Sequence, residues 1–362
     1  MNFDFWNNKK VLVTGHTGFK GSWLTLWLEQ LGCHVVGVSL PDSESGDPFA
    51  SVNQSSAVIH HNSDISSRDS LQRIFAEVNP DVVFHLAAQS LVRESYSHPA
   101  STFSINVLGT VNVLEAVRHS PSVRSLVSVT SDKCYENREW LWGYRENDRL
   151  GGHDPYSNSK ACAELVTQSY RDSFFSEKAG SGVTTGIATA RAGNVIGGGD
   201  VSKDRLLPDL IRGFNKSEPV SIRNPLAVRP WQHVLEPLSG YMLLAQKLYE
   251  SPADWSQAWN FGPDEGGMQT VEEIANLAKQ RFGNKAGWVN TGSGNQPHEA
   301  GLLKLDCSKA RFELGWQPVW SVETAVNRTI DWDKAKTAGE DMRDYSLREI
   351  DDYVSTLDGP AA

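Results

Sequence analysis

The sequence predicts an α/β fold, a doubly wound parallel sheet followed by a smaller C-terminal region. Three observations carry this. Short apolar runs alternate with helical patterns through about the first 130 residues, as in successive βαβ units. Several of these runs are apolar throughout, as in strands covered on both faces. A glycine-rich turn, Thr14-Gly15-His16-Thr17-Gly18-Phe19-Lys20-Gly21, separates the first run from the first helical pattern.

Strands are expected at Val11–Thr14, His34–Leu40, Ala57–His60, Val82–Leu86 and Ser125–Thr130. Helices fit between them at Phe19–Leu31, Arg68–Val78 and Ala100–Arg118. Trp23 and Trp27, four apart in the first helix, read as core. A helix should then run from Tyr156 to about Lys178, and a strand from Thr185 to Arg191. From Asn194 the pattern loosens. Gly197-Gly198-Gly199 and several prolines mark loops, with helical patterns at Arg205–Asn215, Glu236–Tyr249 and Val271–Arg281. The acidic, polar tail after about Ser346 is expected to fray.

Composition narrows the function classes. The chain has 362 residues, 39% of them hydrophobic and 22% charged, which supports a sizeable core and excludes a disordered chain. Its 44 acidic and 34 basic residues give a net charge of −10, which argues against nucleic acid or an anionic membrane as partner. Cys33, Cys134, Cys162 and Cys307 lie far apart, form no metal-ligand spacing and read as reduced thiols, so no metal is expected. The N-terminus lacks the apolar segment of a signal peptide, and no stretch approaches ~20 uninterrupted apolar residues. A cytoplasmic protein without a membrane span is expected.

Gly15, Gly18 and Gly21 let the backbone turn tightly and approach a pyrophosphate, to which the helix N-terminus offers N–H groups and its positive dipole end. With Thr17 and Phe19 they are the expected dinucleotide contacts of a Rossmann-like domain. The second strand closes in Val38-Ser39-Leu40, with Asp42 beyond and no arginine nearby for a 2′-phosphate, so NAD is favoured over NADP. Asp64 and Ile65 are candidates for the adenine edge; the alternative for Asp64 is a loop or helix-cap residue. Leu86, Ala87 and Ala88 end the fourth strand with small side chains that let backbone lie against a ribose or nicotinamide. Asn106, in the next helix, either bonds main chain near the site or faces solvent. Residues 1–192 are thus assigned to an NAD-binding domain, 193–345 mainly to substrate with segments returning to the sheet, and 346–362 to the tail.

Tyr156 and Lys160 are four apart and share one helix face. A lysine beside a phenol stabilises phenolate and lowers its pKa, making Tyr156 a base for a sugar hydroxyl. A hydroxyl at the end of strand five, Ser131 or Thr130, would hold the same oxygen.

Together, Gly15/Gly18/Gly21, Leu86-Ala87-Ala88, Ser131, Tyr156 and Lys160 resemble the extended short-chain dehydrogenase/reductase family. Arg191-Ala192-Gly193-Asn194-Val195-Ile196-Gly197 is similar to the diphosphate-contacting segment of its nucleotide-sugar branch. Arg229-Pro230-Trp231-Gln232-His233-Val234 resembles that branch's Arg-x-Trp-x-x-Val segment, and Lys304-Leu305-Asp306 with Leu314-Gly315-Trp316-Gln317-Pro318 its C-terminal close. The resemblance covers about residues 8–335. It implies a bound NAD and a homo-oligomer, dimer or tetramer. The branch's 4,6-dehydratases carry Thr-Asp-Glu after strand five, with Asp as acid for the C6 hydroxyl and Glu as base at C5; the matching residues here are Ser131, Asp132 and Lys133. Ser-Asp-Lys resembles the members that take CDP-D-glucose, which is the substrate the resemblance implies. A neutral Lys133 would take the C5 proton; a charged one would stabilise an enolate-like transition state and leave the proton to Asp132 or water. A 4-epimerase would use Tyr156, Lys160 and Ser131 but leave Asp132 and Lys133 without a task.

For the substrate's diphosphate Arg229 is the first candidate, then Asn194 and Arg205. Arg223 stands where relatives often have a base-stacking Tyr, and its guanidinium can stack on cytosine. His298 precedes the closing segment and is either a substrate contact or a loop residue.

Overall fold

The computed structural model describes residues 1–41, 57–176, 185–283, 287–292 and 300–357. Seven strands form one sheet: β1 (Lys10–Thr14), β2 (His34–Ser39), β3 (Ile59–Asn62), β4 (Val82–His85), β5 (Ser125–Val129), β6 (Gly186–Ala192) and β7 (Ala258–Phe261). Their order is β7-β6-β5-β4-β1-β2-β3, and every pairing is parallel. The chain winds outward from β1 in one direction and from β4 in the other. That reversal opens a crevice at the carboxyl ends of β1 and β4, where ligands of such sheets bind.

Strand alternation sends side chains to both faces, and both are apolar. Val11 and Val13 pack with Trp23 and Trp27 of α1 (Phe19–Gln30); Leu12 packs oppositely, with Leu71 and Phe75 of α2 (Arg68–Val78) and Leu114 of α3 (Gly109–Arg118). The long α4 (Pro155–Phe174) starts at Asp154, whose carboxylate accepts from the Ser157 N–H, with Pro155 in its first turn. A third cluster, around Leu210, Phe214, Ile274 and Val326, joins α5 (Leu206–Lys216), α7 (Val271–Phe282) and α8 (Val322–Ala338) outside the sheet. Helix α6 (Leu235–Glu250) packs on β5 and β6.

Three expectations are corrected. The third strand lies two residues later than expected, at Ile59–Asn62. The helix expected over 100–118 is broken by a π turn, Ser104–Leu108, between Pro99–Phe103 and α3. Finally, the tail does not fray through residue 357. Met342–Leu357 is a helix, α9, which buries Met342, Ser346, Glu349, Ile350 and Tyr353 on one face. Of the acidic residues that read as a polar tail, Asp351 and Asp352 occupy its exposed face and Glu349 the buried one. Tyr353 meets the Trp27 ring at 5.7 Å, and His233 lies 3.0 Å from Glu349 in full burial. The helix expected to run to about Lys178 closes earlier, at Phe174, with Phe175 as its C-cap; residues 358–362 lie outside the described residues.

Candidate active site

The crevice begins at the glycine turn. Gly15 adopts φ +75°, and a Cβ there would stand 2.7 Å from the Ala87 nitrogen. At Gly21 a Cβ would fall 2.1 Å from the Gly15 oxygen, so α1 can press onto the turn only without a side chain. Gly18 is the N-cap of α1 and supplies no side-chain hydrogen bond to it. The helix's first-turn N–H groups thus get no side-chain cap, which suits a diphosphate. Thr17 lies beside Ser39, its N–H 3.4 Å from that hydroxyl, and Phe19 is buried at the helix start. Leu86 and Ala87 are tied to β1: the Leu86 N–H donates to the Thr14 carbonyl at 3.0 Å and the Ala87 N–H to the Thr14 hydroxyl at 3.3 Å. Ala88 follows, partly buried.

At the end of β2, where an acid was sought, the Ser39 hydroxyl bonds His16 Nδ1 at 2.9 Å, and His16 Nε2 meets His60 Nδ1 at 2.8 Å. Gly37 makes room for this ring; a Cβ there would overlap it. Asp42 lies outside the described residues. Asp64 is exposed, and its carboxylate accepts from the Ser66 N–H at 2.8 Å, the turn role left open for it above. Ile65 is buried in the core beneath α3. Asn106 resolves toward main chain: it accepts from the Gln89 N–H and donates to the Gln89 carbonyl, and also donates to the Ser159 hydroxyl at 2.8 Å. It thereby ties the segment after β4 to α4.

Ser131 caps a short 3-10 turn, Asp132–Cys134, that continues β5. Its hydroxyl donates to Asp132 Oδ1 at 3.0 Å and accepts from the Lys133 N–H at 3.2 Å. Thr130 donates instead to Glu164, behind the site, so of the two hydroxyls Ser131 faces Tyr156. Asp132 is 2% exposed, and its second oxygen has no hydrogen-bond partner among the described residues. Burial raises its pKa against the pull of Lys133 and the Ser131 hydroxyl. Lys133 is half-buried beside it. The Lys160 ammonium donates to the Val129 carbonyl at 3.3 Å; burial lowers it to about 8, opposed by Glu164.

Tyr156 departs from expectation. Burial pushes its phenol up to about 12, and the groups that pull it down are the Ser131 hydroxyl and Arg205, not Lys160. Lysine stabilisation of phenolate is outweighed here because both groups are desolvated together and the ammonium is turned to a backbone carbonyl.

The substrate-side candidates are spread wider. Arg229 is buried and bonds the carbonyls of Val228, Gly301 and Ala300. Arg205 pairs with Asp200 at 3.0 Å and reaches Ser90 at 3.1 Å, across the crevice. Arg223 lies 3.6 Å from Asp204. Asn194 follows β6, half-buried, its carbonyl accepting from the Gln232 N–H. His298 lies outside the described residues.

Two residues were missed. Lys20 enters the same crevice, its ammonium lowered to about 7 by burial and by Arg205 and Lys160, against Asp132 and Asp200. The signal was available: a cation in a helix's first turn opposes the dipole, so a lysine inside a phosphate-type glycine turn is out of place for packing alone. Arg93, 3.5 Å from Asp204, carried no motif. Among the described residues no cluster of His, Cys, Asp and Glu could hold a metal ion, and no helix is long and apolar enough to cross a membrane.

The site can therefore bind a dinucleotide diphosphate at α1 and present a phenol, a carboxyl and two amines to a polar substrate. A family model described as GDP-mannose 4,6 dehydratase matches residues 12–329. The chain belongs to that family. Among GDP-mannose 4,6 dehydratase family relatives, a CDP-glucose 4,6-dehydratase of Salmonella typhimurium is 51% identical over 97% of this chain and 98% of its own. An epimerase from Methanothermobacter thermautotrophicus superposes with a TM-score of 0.79 at 26% identity, covering 93% of this chain and 95% of that one. A dTDP-glucose 4,6-dehydratase from Bacillus anthracis, solved with NAD, shares the fold of this family member with a TM-score of 0.75 at 20% identity, covering 92% and 98%.

Proposed function

We propose that the protein converts CDP-D-glucose to CDP-4-dehydro-6-deoxy-D-glucose and water, using bound NAD. One observation carries the reading: an acid and an amine, Asp132 and Lys133, adjoin Ser131 in the turn beside Tyr156, in a chain 51% identical to a CDP-glucose 4,6-dehydratase.

The cradle fits NAD, since the uncapped first turn of α1 and the side-chain-free surface at Gly15 and Gly18 accept a diphosphate. Gly15, Thr17, Gly18, Phe19 and Gly21 would hold that part; Asp64 and Ile65 the adenine end; Leu86, Ala87, Ala88, Asn106, Tyr156 and Lys160 the nicotinamide end. When bound, NAD supplies a hydride acceptor that takes hydrogen from C4 and returns it at C6.

Tyr156, ionised when the Ser131 hydrogen bond and the Arg205 charge offset its burial, with Lys160 supplying further positive charge, takes the C4 hydroxyl proton and afterwards yields it through the Ser131 hydroxyl to Asp132, which resets both groups. The resulting C4 ketone acidifies the C5 hydrogen, which Lys133, beside Asp132 in the turn, is placed to remove. Asp132, whose raised pKa favours its protonated form, gives its proton to the departing C6 hydroxyl. Lys133 then returns a proton to C5. In sum, the C4 hydroxyl proton and the C6 hydroxide leave as water. Arg229, Asn194 and Arg205 hold the diphosphate, with Arg223 nearer the base and His298 a candidate substrate contact. Residues 1–192 serve the cofactor and 193–345 mainly the substrate; the working unit is a cytoplasmic homo-oligomer, measurable by light scattering.

The test is mass spectrometry of the product after incubation with NAD⁺ and CDP-glucose in deuterated water. Loss of one water with one deuterium gained at C5 is expected. A galacto isomer of unchanged mass would make the protein a 4-epimerase. Water loss from dTDP- or GDP-sugars alone would keep the chemistry and overturn the nucleotide.

A further inference from the structure

Behind the turn that carries Ser131, Asp132 and Lys133 lies a fully buried ion pair to which the mechanism gives no task. Glu164 Oε2 and Arg191 Nη2 are 2.7 Å apart, each side chain 3% exposed. Glu164 also accepts from the Thr130 hydroxyl and, at 2.7 Å, from Thr189. Arg191 Nη1 donates to the Tyr135 hydroxyl at 2.8 Å, and Tyr135 donates onward to Asn260 Oδ1 at 2.7 Å.

The placement of these partners is specific. Thr130 immediately precedes the turn and Tyr135 immediately follows it. Glu164 stands on α4, one helical turn beyond Lys160 and two beyond Tyr156. Arg191 stands on β6, next to β5 in the sheet. The pair therefore grips both ends of the turn and fixes them to the helix that presents the phenol and ammonium. The parallel sheet needs no such pair. A buried ion pair is costly to desolvate, and apolar residues of similar volume commonly replace one without loss of stability. What apolar residues would not supply is the two directional bonds to Thr130 and Tyr135.

We propose that Glu164 and Arg191 are positioning residues for the elimination step, clamping the Ser131–Asp132–Lys133 turn by its flanks so that acid and amine face the C5–C6 bond while Tyr156 faces C4. The proposal rests on the dehydratase reading for its choice of step, and on geometry alone for the clamp. A clamp of this kind separates two parts of the reaction. Hydride transfer depends on Tyr156 and Lys160, which stay on their helix if the turn loosens, and meets the turn only at the Ser131 hydroxyl. Water loss depends on the turn.

The variants that test it leave both charges in place: Thr130→Val and Tyr135→Phe each delete one hydroxyl of the clamp. Mixed with NAD⁺ and CDP-glucose, each is expected to form reduced cofactor at most about threefold more slowly, through the Ser131 hydroxyl, and then to lose water about tenfold to a hundredfold more slowly, so that reduced cofactor accumulates. Thr130→Ser, which keeps the hydroxyl, is expected to restore the wild-type course. Amide hydrogen exchange over residues 131–135 should accelerate in both variants while the thermal midpoint falls by only a few degrees, about what one lost buried hydrogen bond costs. Equal slowing of both steps, or unchanged exchange over the turn, would overturn the clamp. If the wild type itself leaves CDP-glucose unchanged, the dehydratase reading falls, and the exchange measurement alone decides the clamp.

Discussion

On the sheet side of the crevice the site is made of backbone: the Gly15 turn, the bare N-terminus of α1, and Leu86 and Ala87 pinned to Thr14. On the opposite side it is made of long cations, each already engaged. Arg229 holds backbone carbonyls near residue 300, Arg205 holds Asp200 and Ser90, and Arg223 lies against Asp204. The first wall is pre-shaped, and a ligand adds to it. The second must exchange internal partners for phosphate oxygens, so part of its binding energy is spent on releasing them. Substitutions on the first wall should therefore strike folding and cofactor together, and those on the second should strike affinity alone.

The largest effect belongs to neither wall but to the phenol between them. Tyr156→Phe is expected to lower kcat by about 10²–10⁴-fold with little change in KM, since it deletes a proton acceptor and no binding charge. Steady-state kinetics on CDP-glucose checks this; an equal loss in KM would make Tyr156 a binding residue. Next comes Gly15→Ala. At φ +75°, with a Cβ 2.7 Å from the Ala87 nitrogen, alanine is strained whatever its neighbours do. A stability loss of about 2–4 kcal/mol is expected, read by urea unfolding, together with loss of NAD binding by calorimetry. Full stability without NAD binding would separate what the comparison joins.

The same contrast explains what the sequence disclosed. A backbone-made site leaves its mark as glycine spacing between a strand and a helix, and a helix-borne pair such as Tyr156 and Lys160 as an interval of four, so both were legible. The strands of the inner sheet were legible because their two faces are both apolar. The His16–His60 contact was not, because it joins residues 44 apart through a third element. The tail helix was missed because composition was read as polar while its buried residues recur at helical spacing, ending in Ile350 and Tyr353. The arginines could be named, but not their partners: Asp204 and Asp200 lie in a loop where no periodicity points. The Tyr156 pKa failed for a different reason. Sequence interval shows which charges are near, and burial, which decided the sign, comes from the tertiary fold.

A pH experiment sharpens the first wall further. His85 bonds the Thr14 hydroxyl at 2.7 Å and the Thr110 hydroxyl at 3.1 Å, and burial, aided by Lys160, lowers its pKa to about 3. A histidine with a depressed folded pKa stays neutral while the unfolded chain protonates near ~6.5, so the unfolded state binds more protons and stability falls as pH drops through that window. Between pH 6.5 and pH 5 this contributes a loss of about 2 kcal/mol. Urea midpoints at the two pH values, compared with His85→Gln, isolate the contribution; equal slopes would show that His85 is protonated in place.

The smallest expected effect tests the second wall. Arg205 is about one-third exposed (33%), and its pair with Asp200 is of the kind that contributes about 0–1 kcal/mol to stability. Arg205→Ala should leave the thermal midpoint within a few degrees. If Arg205 exchanges Asp200 for the substrate's diphosphate, KM for CDP-glucose should rise about three- to tenfold with kcat held, because what is lost is net of the internal bond given up. Asp200→Asn then carries the opposite sign: it frees the guanidinium in advance and should lower KM. Opposite shifts in the two variants would establish partner exchange on this wall. A fall in stability with KM unchanged in both would make the pair a strut, and the two walls alike.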